Sequence, residues 1–266
     1  MIDALRRHWP EYVMEAALLG AFMISASLFG SLLEFPGSPV HRAIPDPIIR
    51  RALMGSAMGL TAMALVYSPW GSRSGAHFNP ALTLAFHRLG MVARADAIWY
   101  TGAQFAGGVA GMLVALAIVR MPLGHPAVHY VATQPGNDGL GAAFVAETII
   151  SFGLMFAVLT VSNRPSIARW TGVCAGLLVA LYIALESPIS GMSMNPARTF
   201  GSALVGRTWT GWWIYFTAPP LGMLAAAEVY RHWRGARGLF CAKLHHAADV
   251  RCIFCEHRLA ASPSRT

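Results

Sequence analysis

The sequence has few charged residues: Asp, Glu, Lys and Arg make up 12% of its 266 residues. Ordinary soluble domains contain about 25% charged residues, whereas 55% of this chain is hydrophobic. The composition therefore excludes an ordinary soluble domain and predicts an integral membrane protein. Acidic residues are fewer than basic residues: 12 Asp and Glu stand against 20 Lys and Arg, which gives a formal net charge of +8.

Cysteine is also scarce, with four residues in the chain. Cys174 lies alone in an apolar run, where a small apolar filler is expected, and the other three cysteines lie near the C-terminus. The sequence contains no hydrolase nucleophile elbow, phosphate loop or metalloprotease helix. We therefore predict that the protein is not an enzyme.

Six windows free of charge are each close to the roughly 17–25 residues that cross a bilayer. They are Ala16–Leu33, Ala52–Ser72, Ala97–Val119, Thr148–Asn163, Trp170–Leu185 and Thr208–Ala227. The first window resembles a signal peptide because it follows Arg6 and Arg7, but it begins beside Glu15 and no clear cleavage site follows. We interpret it as the first of six membrane helices.

Six spans place both termini on one side of the membrane. Lys and Arg total 14 on the side of the termini and 6 on the opposite side. Because this excess marks the cytoplasmic side, we expect a cell (inner) membrane protein with both termini cytoplasmic. Topology and contact with anionic lipid account for the net positive charge, so no nucleic-acid partner is predicted.

Two stretches of the sequence repeat. The phrase "SGAHFNPALTL" at 74–84 returns as "SGMSMNPARTF" at 190–200, and "YVMEAALL" with Glu15 resembles "FVAETIIS" with Glu147. A repeat of three membrane spans must be inserted upside down relative to its partner. The two polar phrases are therefore expected to enter the membrane from opposite faces.

Each polar phrase ends in Asn-Pro, which favours the start of a helix. Asn is a preferred N-cap, and Pro is preferred at the first helical position, so Asn79-Pro80 and Asn195-Pro196 are expected to begin short helices. Nine or ten residues give a length of about 13–15 Å, half of a hydrocarbon core of about 30 Å. Two such half-helices would meet at the membrane midplane, where irregular backbone must be buried or line a watery cavity. A pore is predicted.

The paired signatures "GAHFNPALT" and "SMNPARTFGSAL", which include Ala81 and Ala197, resemble the aquaporin, or major intrinsic protein, family. The resemblance is to a bacterial-type member and covers roughly residues 11–233. It implies an all-α membrane protein with six transmembrane helices, two re-entrant half-helices, one pore per subunit and a homotetramer. The expected organisation is a channel domain over 1–233, with repeats at about 11–120 and 140–233, followed by a basic cytoplasmic tail over 234–266.

The resemblance also implies a narrow selectivity filter formed by Met58, Ile183, Met192 and Arg198. Strictly water-selective members have His at the position of Ile183 and an aromatic residue at that of Met58, so this filter is unusually apolar. We expect a passive channel for water that excludes protons and ions and also passes small neutral solutes. A facilitator mainly for glycerol, ammonia, peroxide or metalloid acids, a coupled secondary transporter and a junction-forming member with a closed pore remain alternatives.

Three polar residues inside the apolar regions have expected roles. Carboxylates within membrane spans are functional candidates by default, and a proton relay through Glu15 and Glu147 would suit a transporter. Their symmetric placement instead suits the family pattern, in which each braces the backbone N–H groups of a re-entrant loop. His77 is expected to line the cytoplasmic vestibule.

The tail "CAKLHHAADVRCIFCEHR" contains residue types that bind zinc. Cys241, Cys252, Cys255 and His257 could complete a tetrahedral site, with His245 and His246 nearby. Reducing cytosol favours thiols over disulfides. The family does not imply this site; a solvated basic tail is the alternative, and no cofactor is expected elsewhere in the chain.

Overall fold

The computed structural model describes residues 1–234, 239–246 and 250–261, and these residues form helices and no strands. The long helices are α1 (Ile2–Glu34), α3 (Pro47–Tyr67), α6 (Arg94–Val119), α8 (Gly139–Ser162), α9 (Thr171–Leu185) and α12 (Trp212–Arg234). The shorter helices are α2 (Pro39–Ala43), α4 (Pro69–Ser74), α5 (Pro80–Arg88), α7 (Met121–Gly124), α10 (Ser187–Ser190), α11 (Pro196–Gly206) and α13 (Ile253–Ala261). Single 3-10 turns cover His129–Val131 and Ala168–Trp170.

Six long helices form the bundle, as the charge-free windows predict. Five of them are long and apolar enough to cross a membrane by length and composition, the fifth counted from Ala168. The sixth, α12, is long enough at 23 residues, but it contains Pro219 and Pro220, which lower its mean hydropathy. We call the side at which α1 begins and α12 ends the terminal face, and the other side the opposite face.

Helix α1 begins fourteen residues before the first charge-free window, at Ile2 instead of Ala16. The added turns contain carboxylates, and burial of a carboxylate is tolerated when it is paired. Glu11 is fully buried and accepts a hydrogen bond from Arg73 at 3.0 Å. Partners from other parts of the fold therefore allow a charged segment to continue the apolar helix.

Glycine permits a close crossing of helices α1 and α6. A Cβ atom on Gly107 would collide with the backbone of Ala16, and one on Gly111 would collide with that of Gly20. Small residues let membrane helices approach this closely and so gain packing contacts that lipid cannot replace. The α1–α6 pair of the first half has its counterpart in the close packing of α8 with α12 in the second half.

The two halves hold their re-entrant loops in equivalent ways. Tyr100 on α6 donates its hydroxyl hydrogen bond to the carbonyl of Ser74, and Tyr215 on α12 donates to the carbonyl of Ser190. Both tyrosines are fully buried. The inverted repeat predicted from the sequence is thus present as a structural repeat.

Exposed tryptophans lie near both ends of the bundle. Amphipathic aromatic rings favour the two membrane–water interfaces. Those near the terminal face are Trp9, Trp70, Trp170 and Trp233, and those near the opposite face are Trp209, Trp212 and Trp213. Exposed Leu, Ile and Val side chains occupy the helix surfaces between the two groups, as expected for a lipid-facing surface.

Candidate functional site

The two short helices α5 and α11 begin at the repeated Asn-Pro pairs. The Oδ1 atom of Asn79 accepts the N–H of Ala81 at 2.9 Å, and that of Asn195 accepts the N–H of Ala197 at 3.0 Å. Each cap satisfies a backbone donor that has no partner within its helix. With nine and eleven residues, the two helices are about half the length needed to cross a bilayer.

The two helix starts are tied to each other by reciprocal hydrogen bonds. Nδ2 of Asn79 donates to the carbonyl of Met194 at 2.7 Å, and Nδ2 of Asn195 donates to the carbonyl of Phe78 at 2.8 Å. Each amide group has two N–H bonds. The Oδ1 atom holds the cap and one N–H holds the opposite loop, which leaves the second N–H of each asparagine unused by these bonds.

The loops before the two helices adopt an unusual backbone conformation at equivalent positions. Ala76 and Phe78 have positive φ angles of 55° and 29°, and Met192 and Met194 have φ angles of 51° and 54°. L-residues in this region are strained, and such strain persists only where surrounding structure fixes it. Successive N–H groups in this arrangement point inward and form an anion-binding nest.

Buried carboxylates occupy both nests. Glu15 accepts hydrogen bonds from the backbone N–H groups of His77 and Phe78, and Gln104 Nε2 donates to it at 2.8 Å. The hydroxyl of Ser74 donates to the same carboxylate at 2.8 Å. Each oxygen of Glu15 accepts two of these bonds, so the carboxylate fixes the loop.

Glu147 makes the equivalent contacts in the second half. It accepts the N–H of Ser193 at 2.6 Å, the N–H of Met194 at 2.8 Å and the hydroxyl of Ser190 at 2.9 Å. Like Glu15, it is completely buried. These contacts match the bracing role that the family resemblance implies and leave neither carboxylate at the wall of the cavity.

A cavity of about 420 Å³ lies along the axis of the bundle. Its wall includes Glu34 and Arg51 near the opposite face, Asn79 and Asn195 at the junction of the half-helices, and Leu244 near the terminal face. Most of the remaining wall is aliphatic or Met side chains. A mostly apolar tube with a short stripe of hydrogen-bond donors can pass small neutral molecules while holding them weakly.

All four residues expected in the selectivity filter line this cavity: Met58, Ile183, Met192 and Arg198. Arg198 lies in the first turn of α11, and its guanidinium donates to the hydroxyl of Thr133. Thr133 is buried and belongs to the long loop between α6 and α8. Among these four residues, one places a charged group at the cavity wall and the other three place aliphatic or thioether groups there.

His77 also lines the cavity and lies near its terminal end. Nδ1 of its ring lies 3.1 Å from the hydroxyl of Thr83, and Nε2 lies 2.7 Å from the carbonyl of Ala242. The second contact was not expected, because Ala242 belongs to the C-terminal segment. The histidine thus joins the pore wall to the end of the chain.

The described part of the C-terminal segment packs against the terminal face. Leu244 is 4% exposed and lines the cavity, and its N–H donates to the carbonyl of Gly75 at 3.1 Å. Lys243 is 2% exposed, and its Nζ donates to the carbonyl of Ser72 at 2.7 Å. The alternative of a solvated basic tail does not describe these residues, because apolar side chains and one paired ammonium group are buried against the mouth of the cavity.

The cysteines of this segment lie together. Candidate ligand atoms of Cys241, His246, Cys252 and Cys255 all lie within 4.8 Å of one another. A hydrogen bond from the Cys241 thiol holds the pKa of the Cys252 thiol below its usual range. His257, named from the sequence as the fourth ligand, is not part of this cluster, and His246 takes that position.

Sequence reasoning did not name three residues that shape the site: Thr133, Ala242 and Leu244. Thr133 meets Arg198 across 65 residues of sequence, and Ala242 meets His77 across 165. No local pattern encodes contacts at such separations. The available signal was a lysine flanked by Ala and Leu within a basic tail. Composition alone does not show whether such a lysine is buried or solvated.

The geometry defines a class of protein: a polytopic membrane protein whose pore is formed by two inverted half-helices. Residues 9–230 match the Major intrinsic protein family. The chain therefore belongs to that family, whose members are channels and not enzymes.

Relatives of known family support this assignment. The chain is 34% identical over 208 residues to "Probable aquaporin NIP4-2" of Arabidopsis thaliana, covering 78% of this chain and 66% of that protein. It is 39% identical over 173 residues to "Aquaporin NIP1-3" of Oryza sativa subsp. japonica, covering 65% of this chain and 58% of that protein. The matched region thus spans 66% and 58% of these two relatives, less than two thirds of either. Both are plant proteins, so the expectation of a bacterial-type member is not supported.

A solved structure shares the fold. The aquaglyceroporin from Plasmodium falciparum superposes with a TM-score of 0.67 at 18% identity, covering 84% of this chain and 95% of that one. At this identity the likeness concerns the arrangement of the helices and not the solute. It agrees with six transmembrane helices and two re-entrant half-helices.

Proposed function

We propose that the protein is a passive channel for water that excludes protons and ions and also passes small neutral solutes such as ammonia and peroxide. The observation that carries this proposal is the junction of the two half-helices. There, Asn79 and Asn195 each retain one N–H for a solute after capping a helix and holding the opposite loop. A water oxygen that accepts both hydrogen bonds must point its own hydrogens outward.

Proton exclusion follows from this orientation and from charge. A water held by two donors interrupts the hydrogen-bonded chain along which a proton would move. The starts of α5 and α11 each place about half a positive charge at the junction, and Arg198 adds a full charge in the cavity wall. Positive fields along a pore oppose the entry of cations.

The aliphatic filter supports the wider solute range. Ile183 offers no polar atom to water, so the wall tolerates solutes that form fewer hydrogen bonds. Met58 and Met192 are flexible and narrow the lumen without the flat aromatic surface along which a carbon backbone would slide. We therefore rank glycerol below ammonia and peroxide.

The membrane setting completes the proposal. The Lys and Arg excess, 14 against 6, favours a cytoplasmic terminal face in a cell membrane. Exposed apolar helix faces are in contact with lipid, and the family resemblance supports a homotetramer with one pore in each subunit.

Stopped-flow light scattering on proteoliposomes tests the proposal. We expect faster shrinkage than in empty liposomes after an impermeant osmotic shock, with no proton leak detected by an entrapped pH dye. A panel of glycerol, urea, ammonia and peroxide gradients ranks the solutes. Glycerol flux equal to water flux would make the protein a glycerol facilitator, and gradient-dependent, saturable uptake would make it a coupled transporter.

A further inference from the structure

The Cys/His cluster of the C-terminal segment has the separations of a metal site. Sγ of Cys241 lies 3.4 Å from Sγ of Cys252 and 3.7 Å from Sγ of Cys255, and His246 Nε2 lies 3.4 Å from Sγ of Cys255. The four candidate ligand atoms, one from each cluster member, all lie within 4.8 Å of one another. The cysteines are free thiols.

These separations fit tetrahedral zinc. With Zn–S distances of about 2.3 Å and a Zn–N distance of about 2.0–2.1 Å, a tetrahedron requires Sγ–Sγ separations of about 3.8 Å and Sγ–N separations of about 3.5 Å. Three thiolates and one imidazole form a common donor set for structural zinc, and soft thiolate ligands disfavour magnesium and calcium. The metal–ligand group would carry one net negative charge, and the buried ammonium of Lys243, two residues after Cys241, offsets it.

The same ligands enclose the residues that cover the pore mouth. Cys241 and His246 are the two ends of a six-residue stretch whose middle is bound to the terminal face. Within it, Ala242 contacts His77, Lys243 contacts Ser72, and Leu244 lines the cavity.

The other two ligands fix this stretch from the far side. Cys252 and Cys255 flank Phe254, whose ring stacks on that of His77 with a centroid distance of 5.3 Å. Phe254 is 1% exposed. A metal bound by all four ligands would therefore hold two stretches of the segment, residues 241–246 and 252–255, against the same end of the cavity.

We propose that Cys241, His246, Cys252 and Cys255 bind a zinc ion, and that the bound ion holds residues 241–246 over the terminal mouth of the pore. Metal occupancy then sets the fraction of channels that are closed. The binding site stands on its own geometry, whereas the gating effect rests on the proposed channel function.

Metal binding is tested on the purified full chain, stripped with chelator under reducing conditions and titrated with Zn²⁺ or Co²⁺. We expect one metal per chain and the thiolate-to-cobalt charge-transfer absorption of a tetrahedral site. Cys252→Ser with Cys255→Ser should abolish both, and His246→Ala should weaken cobalt affinity at least tenfold. The matched controls are Cys174→Ser and His257→Ala, which should bind metal with the same stoichiometry and affinity as the unmodified chain.

Three results would overturn the site. The first is no stoichiometric metal and no charge-transfer band in the reduced chain. The second is an equal loss of cobalt affinity in His257→Ala and His246→Ala, which would mean that the fourth ligand is not the one in the cluster. The third is a Cys241–Cys252 disulfide that survives the reducing conditions of the chelator treatment.

Gating is tested by water flux in proteoliposomes with chelator or zinc on both sides of the bilayer. We expect chelator to raise flux several-fold in the unmodified chain and zinc to reverse this. Cys252→Ser with Cys255→Ser should conduct at the high rate in both conditions. Leu244→Asp with Phe254→Asp places charges on the buried face of the segment and should release it whether or not metal is present.

The outcomes separate the two proposals. High flux in the Leu244→Asp, Phe254→Asp variant with metal-independent flux in the unmodified chain would reject gating and leave the channel function standing. No flux in any variant would reject the channel function and gating together, while the cobalt titration still decides whether the site exists.

Discussion

The ring of His77 lies parallel to that of Phe254, with 5.3 Å between centroids and 3° between planes. The same ring also stacks on Phe86, at 5.1 Å and 14°. The imidazole therefore contacts both a ring of the first half-helix and a ring of the C-terminal segment. Aromatic pairs of this kind contribute about 0.5–1.5 kcal/mol beyond area burial, so the stack is a specific link between the pore wall and the cover of its terminal mouth.

Removing the Phe254 ring should open the mouth. Phe254→Ala removes a fully buried side chain, a change that typically costs about 3–5 kcal/mol, and the cost falls on the segment that covers the cavity. We expect water permeability above that of the unmodified chain in stopped-flow measurements. Phe29→Ala, at a ring that is 37% exposed, is the control and should leave permeability unchanged; equal flux in all three proteins would contradict the covering role.

The two functions of the cap asparagines can be separated. Asn79→Ala removes both the cap, worth about 1 kcal/mol, and the hydrogen bond to Met194, worth about 1 kcal/mol. Asn79→Ser keeps a capping oxygen and cannot reach Met194. We expect thermal unfolding in detergent to show about twice the loss of stability for the Ala variant as for the Ser variant. We expect both variants to conduct less water than the unmodified chain. Equal unfolding temperatures for the Ala variant and the unmodified chain would place Asn79 outside the junction.

Replacing the carboxylate of Glu147 should destabilise the second loop. In Glu147→Gln one acceptor oxygen becomes an N–H₂ group that faces the backbone N–H of either Ser193 or Met194, at a cost of about 1–3 kcal/mol for the unsatisfied donor. We expect a lower unfolding temperature and reduced flux.

Glu34→Gln is the control for that change, because Glu34 pairs with Arg50 near the surface. Partly exposed pairs contribute about 0–1 kcal/mol. Because Glu34 also lines the cavity, the comparison uses the unfolding temperature: a decrease for Glu34→Gln as large as that for Glu147→Gln would argue against a special bracing role.

A polar residue in the filter should narrow the solute range. Ile183→His adds hydrogen-bonding atoms to an aliphatic wall, which favours water over solutes that cannot satisfy those atoms. Ammonia has one lone pair where water has two, and an unpaired buried polar group costs about 1–3 kcal/mol, so ammonia permeability should fall by about tenfold while water permeability stays within about twofold. Unchanged ratios in the gradient panel would show that Ile183 does not face the passing solute.

Removal of the filter charge should admit cations. A unit charge about 4 Å away contributes about 1–4 kcal/mol, depending on the effective dielectric, so Arg198→Ala should raise proton or cation leak by about tenfold or more. The leak is measured with an entrapped pH dye. Arg207→Ala, at the exposed end of the same helix, is the control, and a leak of the same size there would show that the effect is not local to the filter.

Much of the site could be predicted from short stretches of sequence. Asn-Pro predicts a helix start because capping and the fixed φ of proline act within three or four residues, and α5 begins at Pro80 and α11 at Pro196. The repeat of that pattern predicts two inverted halves, since three spans reverse the chain direction. The family match over residues 9–230 agrees with this interpretation.

Only the tertiary structure decided how the C-terminal segment is arranged. Cys241 and Cys252 come together because Leu244 and Phe254 bury apolar surface against the pore mouth, and this packing brings His246, and not His257, to the thiols. The sequence places both histidines near the cysteines, and neither spacing nor composition distinguishes them. Capping depends on adjacent residues and can be predicted locally, whereas a ligand set depends on how distant segments pack together.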